Sequence, residues 1–255
     1  MTTTAITGSA SGIGRALAER LGGEGHRIIG VDIRDADVVA DLSTADGRAS
    51  AVAAVLDACG GTLDRFVGGA GLGPQVSPES IIASVNYFGV VDLLDGLLPA
   101  LEKGTAPAAV AICSNSAQMA PLDDHPVVCA LLDGDEAKAR ALLDESKDGF
   151  VAYAGSKMAL GRAVRRRSRD WGSKGVRLNA IAPGPVETPL LQGGRDDPRY
   201  GEAIRTLDVP LGRLATPEEI AAFIAMMLAP DTGYMHGSVV YVDGGQDAEI
   251  RSEKF

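Results

Sequence analysis

The stretch Thr3-Thr4-Ala5-Ile6-Thr7-Gly8-Ser9-Ala10-Ser11-Gly12-Ile13-Gly14 decides how this chain folds. A β-branched, mostly apolar run leads into a turn with three glycines, and a helix is predicted over 14–22. The glycines let the backbone turn sharply and approach a diphosphate, while the helix amino terminus offers free N–H groups and a positive dipole end. Glycines alone are a weak signal, but here a strand precedes them and a helix follows. The turn is therefore predicted to bind a dinucleotide through Gly8, Ser11, Gly12, Ile13 and Gly14.

Outward from this turn, short apolar runs alternate with longer amphipathic ones. Strands are predicted at 3–7, 27–33, 65–69, 109–113, 176–182 and 239–242, and helices at 14–22, 43–59, 78–103, 153–171 and 217–228. Several strands are apolar throughout, as strands buried on both faces are. The alternation predicts an α/β fold, a Rossmann-type doubly wound parallel sheet, and the length of 255 residues suits a single domain over 1–255.

Composition narrows the class of partner. The net charge of −10 argues against nucleic acid and against an anionic membrane surface. We expect no apolar run long enough to span a bilayer, no signal peptide and a cytoplasmic location. Cys59, Cys113 and Cys129 show no metal-ligand spacing and are expected to be free thiols, so no metal is predicted. Cys113 is interpreted as a small buried residue rather than a nucleophile.

The second predicted strand ends in an acid. Asp32 follows the glycine turn at the separation expected for a carboxylate that accepts both hydroxyls of the adenosine ribose and repels a 2′-phosphate. NAD is therefore predicted over NADP, and Ile33, next to Asp32, is expected to contact the cofactor as well. Two alternatives stay open: the neighbouring Arg34 would suit a 2′-phosphate, and Asp32 could instead be a loop or cap carboxylate. Asp41 and Leu42 are candidate contacts for the adenine.

A tyrosine and a lysine, Tyr153 and Lys157, lie four residues apart on one face of a predicted helix. A nearby ammonium favours the phenolate and so lowers the tyrosine pKa from its usual value near 10. Such a tyrosine can protonate a carbonyl oxygen or deprotonate an alcohol. The pair alone is common by chance, so further residues must support it.

Those residues follow other strands. Ser114 closes the fourth long strand, where the carboxyl ends of the strands form the ligand crevice, and Ser116 is its rival for holding a substrate oxygen. Asn86 lies inside an otherwise apolar helix, where a buried amide must find partners. Two further segments after strands are expected to contact the cofactor: Gly69, Ala70 and Gly71, and then Pro183, Gly184, Val186 and Thr188.

Taken in this order, the motifs resemble the short-chain dehydrogenase/reductase family over essentially the whole chain. The resemblance implies that Tyr153 is the acid/base, that Lys157 binds the nicotinamide ribose and lowers the tyrosine pKa, that Ser114 orients the substrate and that Asn86 holds a relay water. One position departs: Gly69 stands where the family usually has asparagine, which puts local order in doubt. Segments 31–35, 71–75, 84–89 and 197–201 further resemble bacterial members that act on 3α-hydroxysteroids.

A second departure is an extra segment over 122–150, between Ser114 and Tyr153, predicted to form short helices at 126–132 and 135–146. In the resembled family the two long helices usually pair across a dimer axis. If the segment buries its apolar residues on those helices, a homodimer through 217–228 and 239–242 remains. The alternative is that the segment folds outward as a lid and the usual tetramer survives.

These observations predict an NAD-dependent oxidoreductase interconverting a secondary alcohol and a ketone. The stretch 189–211 is expected to be a mobile cover whose Leu190, Leu191, Ile204 and Leu207 line an apolar pocket, which favours 3α-hydroxysteroids or 3-ketosteroids. The alternative is an ordinary surface helix and loop with those residues in the core. Acyl-carrier or sugar reduction, and a non-catalytic NAD-binding sensor, are the competing functions.

Overall fold

The computed structural model describes residues 1–254, and its short β-branched and small-residue runs form seven parallel strands. Their order across the sheet is β3-β2-β1-β4-β5-β6-β7. The strands are β1 Thr3–Thr7, β2 Arg27–Asp32, β3 Val38–Val39, β4 Arg65–Gly68, β5 Ala108–Ile112, β6 Arg177–Pro183 and β7 Val239–Val242. The predicted doubly wound α/β sheet is confirmed, and only the two-residue edge strand β3 was not predicted.

The strand order reverses beside β1, which pairs with β2 on one side and β4 on the other. Thr7 is in register with Val31 and with Gly68, so the carboxyl ends of the three strands lie at one level. The crevice outside such a reversal is where open α/β sheets bind ligands.

Ten α-helices accompany the sheet in the described residues. They are α1 Gly12–Gly23, α2 Ala45–Ala58, α3 Ser80–Leu101, α4 Pro126–Leu132, α5 Glu136–Ser146, α6 Gly149–Ser173, α7 Pro189–Asp196, α8 Gly201–Arg205, α9 Pro217–Leu228 and α10 Gln246–Ile250. The apolar side chains form one core with α2, α3, α6 and the extra segment, and a second core with α1 and α9 on the opposite face.

Helix ends follow local capping chemistry. Thr216 and Glu219 form a capping box at α9, which begins at Pro217 as predicted. The Asp148 carboxylate accepts a hydrogen bond from the Val151 amide at 3.0 Å, so α6 begins at Gly149, earlier than the predicted 153. The tyrosine and lysine of the candidate site therefore lie inside the helix rather than at its frayed first turn.

Helix α3 is long and apolar, with a mean hydropathy of 1.6 over its most apolar window. The expectation that no apolar run could span a bilayer is therefore wrong by length and composition. However, 72% of that window is buried inside the protein, as in a core helix. A cytoplasmic location stays a prediction.

The extra segment forms the two predicted helices α4 and α5. Val127, Val128 and Leu131 of α4 are buried, and this helix packs against α6, whereas α5 packs against α3. In the stretch after β6, the helices α7 and α8 occupy much of 189–211, and its mobility stays a prediction.

Candidate active site

A cleft of about 480 Å³ opens at the carboxyl ends of β1, β2, β4, β5 and β6. Every residue predicted to contact the cofactor lines it: Gly8, Ser11, Gly12, Ile13, Gly14, Asp32, Ile33, Asp41, Leu42, Gly69, Ala70, Gly71, Tyr153, Lys157, Pro183, Gly184, Val186 and Thr188. Ser114 lines the cleft as well, whereas Ser116 and Asn86 do not belong to its wall.

The glycine turn leaves no room for side chains. Gly8 has φ +74°, and a Cβ there would lie 2.9 Å from Ala70 Cα. A Cβ on Gly14 would overlap the Gly8 carbonyl oxygen. The resulting concave backbone at the start of α1 is shaped for a diphosphate.

Thr7 explains how the chain tolerates Gly69 in place of the usual asparagine. The Thr7 hydroxyl oxygen accepts hydrogen bonds from the Gly69 and Ala70 amides, each at 3.0 Å. A Cβ on Gly69 would lie 2.8 Å from the Thr7 carbonyl oxygen. Local order at the end of β4 is therefore supplied by Thr7, a residue whose role the sequence pattern did not reveal.

Asp32 braces the glycine turn as well as facing the cleft. Its carboxylate accepts hydrogen bonds from the Ala10 amide at 3.0 Å and the Ile33 amide at 2.7 Å. Arg34 is exposed and does not line the cleft. The wall at the adenosine end therefore presents a carboxylate and no guanidinium.

Tyr153 and Ser114 face each other at the other end of the cleft. Both side chains line the cleft wall, and the Ser114 hydroxyl works against the rise that burial causes in the pKa of the Tyr153 phenol. Ser114 caps the 3-10 turn Asn115–Gln118 by accepting from the Ser116 amide at 3.2 Å. The Ser116 hydroxyl is buried away from the cleft, so Ser114 is the serine placed to contact a substrate.

The pKa of Tyr153 differs from the expected direction. Burial raises the pKa of this phenol, and the neighbouring Ser114 hydroxyl opposes the rise only in part. The expected lowering by Lys157 is not seen. The ammonium of Lys157 instead donates to the Ile112 carbonyl oxygen at 2.7 Å, and burial lowers its pKa to about 8.

Cys113 lies between these groups but is not a nucleophile in the described state. Burial raises the pKa of its thiol to about 12. All three cysteines are free, as expected.

Asn86 lies in a π-helical turn, Ser84–Phe88, inside α3. Its amide makes two hydrogen bonds to one neighbour: it donates to the Leu72 carbonyl oxygen at 3.0 Å and accepts from the Leu72 amide at 2.7 Å. A Cβ on Gly71 would lie 3.4 Å from Asn86 Oδ1 and 3.6 Å from Lys157 Nζ. The asparagine therefore shapes the loop beside the lysine and stands behind the cleft wall.

The segment after β6 covers the cleft through α7. Thr188 caps this helix, and Leu190 and Leu191 line the cleft as predicted. The predicted lining by Ile204 and Leu207 is wrong: both are half-buried outside the cleft wall. Apolar wall residues that the sequence did not single out are Leu72, Val76, Ile81, Val85, Ile112, Pro185 and Pro189.

The cleft fits an extended dinucleotide by shape and by donor set. The glycine turn supplies backbone for a diphosphate at one point, Asp32 lies at the adenosine end, and Lys157 and Tyr153 lie at the far end. Ser114 and Tyr153 then offer hydroxyl groups where a reacting oxygen would sit. This arrangement suits proton transfer to or from a substrate oxygen next to a nicotinamide ring.

Comparisons with known proteins agree with this geometry. Residues 2–123 match the family profile described as short chain dehydrogenase, and residues 138–247 match the one described as Enoyl-(Acyl carrier protein) reductase. The chain is 50% identical over its whole length, and over the whole of the relative, to the 3-alpha-hydroxysteroid dehydrogenase/carbonyl reductase of Comamonas testosteroni.

Solved structures show the same likeness. A crystal structure of the 3-alpha-hydroxysteroid dehydrogenase from Pseudomonas sp. B-0831, complexed with NADH, matches with a TM-score of 0.98 and 51% identity over 100% of both chains. The aldohexose dehydrogenase of Thermoplasma acidophilum shares the fold, with a TM-score of 0.75 and 23% identity over 100% of this chain and 96% of that one. The chain therefore belongs to the short-chain dehydrogenase/reductase family of oxidoreductases.

Proposed function

We propose that this protein is an NAD(H)-dependent oxidoreductase that interconverts a secondary alcohol and a ketone, with 3α-hydroxysteroids and 3-ketosteroids as the favoured substrates. One observation carries the proposal: Ser114, Tyr153 and Lys157 share a single cleft with the glycine turn and Asp32. The full-length identity to a hydroxysteroid dehydrogenase supports the steroid class. A pure NAD sensor would have no need of the Ser114–Tyr153 pair.

A bound nicotinamide would supply or accept the hydride. In the reducing direction, the Tyr153 phenol gives its proton to the carbonyl oxygen while the Ser114 hydroxyl donates a hydrogen bond to the same oxygen. Because burial raises the pKa of Tyr153, the phenol stays protonated until it transfers its proton to the substrate oxygen. In the oxidising direction, the Tyr153 phenolate removes the alcohol proton.

The cofactor preference is assigned to Asp32. A carboxylate already held by the Ala10 and Ile33 amides can accept from both ribose hydroxyls, and it repels a 2′-phosphate. The exposed Arg34 offers no compensating charge in the cleft.

The proposed substrate class rests on helix α7, which covers the cleft. Pro189, Leu190 and Leu191 of α7 face the cleft with apolar side chains, and charged groups are confined to Asp32, Asp41 and Lys157 among its described lining residues. A large uncharged substrate would bury its apolar surface there, whereas a sugar would leave its hydroxyls unpaired.

A substrate panel tests the function. Purified protein with NAD would be mixed with 3α-hydroxysteroids, aromatic secondary alcohols and sugars, and the absorbance of reduced nicotinamide would be followed. The proposal expects the highest kcat/KM for a 3α-hydroxysteroid. Good turnover of a small polar alcohol beside no turnover of any steroid would overturn the substrate class.

Assembly is part of the proposal. Helix α4 packs on α6 and helix α5 packs on α3, so the extra segment covers surface on both long helices. The edge around β7 and α9 stays open, with β7 half-buried, Met226 45% exposed and Tyr234 fully exposed. We therefore propose a homodimer through that edge. Light scattering would separate it from a tetramer paired through α6, which is the competing assembly.

A further inference from the structure

The extra segment reaches a buried polar cluster through its Glu136. This glutamate is the first residue of α5, and its side chain is 24% exposed. Its carboxylate accepts from Arg48 Nη2 at 2.5 Å and from the Ser84 hydroxyl at 2.7 Å. A carboxylate with this many charged and buried donors is held in one orientation.

Ser84 opens the π-helical turn that carries Asn86. Its side chain is completely buried, and it donates to Glu136 while it accepts from Arg140 Nη1 at 3.0 Å. Both partners belong to α5, so the extra segment is hydrogen-bonded to this turn through the Ser84 hydroxyl. Since π-helical turns are irregular, these hydrogen bonds can fix the direction of the side chains that follow Ser84.

Arg48 links the same glutamate to the adenosine wall. It is 3% exposed, and besides Glu136 it binds Asp92 at 2.6 Å and the Leu42 carbonyl oxygen at 3.3 Å. Its guanidinium also lies 5.7 Å from the centroid of Phe88, the last residue of the π-helical turn. Two edges of the turn, Ser84 and Phe88, are thus contacted by one cluster.

Asn86 lies between those two edges, and its amide holds the Leu72 backbone beside Gly71 and Lys157. Resting on the proposed function, we infer that Glu136 is a positioning residue. Through Ser84 and Arg48 it fixes the π-helical turn. Asn86, on that turn, then holds the Leu72 backbone in the position that turnover requires. The extra segment is then part of the active-site support as well as a cover for the long helices.

The test is Glu136→Gln, which keeps the side-chain size and removes the charge. The matched control is Glu145→Gln, an exposed acid on the same helix. A second variant, Ser84→Ala, cuts the contact to the turn and leaves the Arg48–Glu136 ion pair in place. Kinetics would be measured per folded molecule, with NADH affinity by fluorescence titration.

For Glu136→Gln and Ser84→Ala we expect kcat to fall about tenfold, because small displacements at a reacting centre are costly. NADH affinity should stay unchanged. The double variant should lose no more than the worse single variant, because both changes release the same turn. If kcat per folded molecule matches the control while only the melting temperature falls, Glu136 merely anchors the segment and the inference is overturned.

Hydrogen–deuterium exchange gives a readout that does not depend on turnover. The Leu72 amide donates to Asn86, so Glu136→Gln should speed its exchange relative to Glu145→Gln. Equal exchange would refute the inference even for an inactive protein. A wild-type chain that turns over no alcohol or ketone in the panel would instead refute the proposed function.

Discussion

The two ends of the cleft differ in what forms their walls, which is mainly backbone at one end and mainly side chains at the other. At the adenosine end the wall is mainly backbone, shaped by the glycine turn within a few residues of β1 and fixed by Asp32. At the substrate end the wall is mainly side chains from α6, α7 and the loop after β5, which lie far apart in the chain. We therefore expect cofactor binding to depend on the space that the glycines leave open, and chemistry and substrate choice to depend on a few side chains. The two ends should therefore fail separately when they are altered.

The largest expected effect is at the chemical end. Tyr153→Phe removes the only hydroxyl proposed to exchange a proton with the substrate, and loss of a general acid/base lowers rates by about 10²–10⁴-fold. NADH affinity should stay near that of the wild type. The measurement is steady-state kcat with a fluorescence titration of NADH, and Tyr234→Phe, at a fully exposed tyrosine, is the control. Retention of most of the activity would reduce Tyr153 to a structural residue.

At the adenosine end, where the wall is mainly backbone, we expect a change to weaken NADH binding. Gly14→Ala places a Cβ against the Gly8 carbonyl oxygen and should weaken NADH binding by more than about tenfold, equivalent to 1.4 kcal/mol. Gly23→Ala, in the same helix, meets nothing within 4 Å and should bind NADH normally. Affinity would be titrated after circular dichroism has shown that both variants fold. Equal affinities would mean that the turn does not approach the cofactor.

Cofactor choice gives an intermediate effect. Asp32→Ser removes the charge that repels a 2′-phosphate, so the ratio of NADPH to NADH affinity should rise by about tenfold. Arg34→Ala should leave the ratio unchanged, since Arg34 lies outside the cleft. Competitive titration of both cofactors checks the pair. A wild-type chain that binds NADPH as tightly as NADH, and loses this with Arg34→Ala, would contradict the role given to Asp32.

The remaining effect is on stability rather than on binding or turnover. Burial lowers the pKa of Lys157 from 10.5 to about 8 in the folded protein, so between these values the unfolded chain holds a proton that the folded chain lacks. The free energy of unfolding should therefore rise with pH across that window by up to about 1.4 kcal/mol per unit, and below pH 8 this contribution should be flat. Urea unfolding of the cofactor-free wild type and Lys157→Met from pH 7 to 10 would show it. Parallel curves would mean that the lysine is not desolvated.

The residues predicted for the cofactor end all line the cleft, because the signals that point to them are local. Gly8, Gly12 and Gly14 are spaced within one turn, and Asp32 ends the neighbouring strand. The role of Thr7 was missed, since its hydroxyl acts on amides some sixty positions away, which no spacing reveals.

The substrate end could be predicted only in outline. Leu190 and Leu191 follow β6 closely and line the cleft. Ile204 instead lies within the second helix, α8, whose packing the sequence did not specify. The direction of the Tyr153 pKa was also missed, because burial raises it and the Lys157 ammonium donates to the Ile112 carbonyl oxygen. Desolvation depends on everything packed around a group, and a four-residue spacing carries no information on that.

In the proposed function, one cleft joins an NAD site to a bulky apolar substrate site. Rapid mixing of the protein, preloaded with one equivalent of NADH, with excess 3-ketosteroid tests it most directly. We expect a single exponential loss of reduced-nicotinamide absorbance, equal in amplitude to the bound NADH and about 10²–10⁴-fold slower in Tyr153→Phe. Unchanged absorbance with every ketosteroid, beside rapid loss with a small polar ketone, would contradict it.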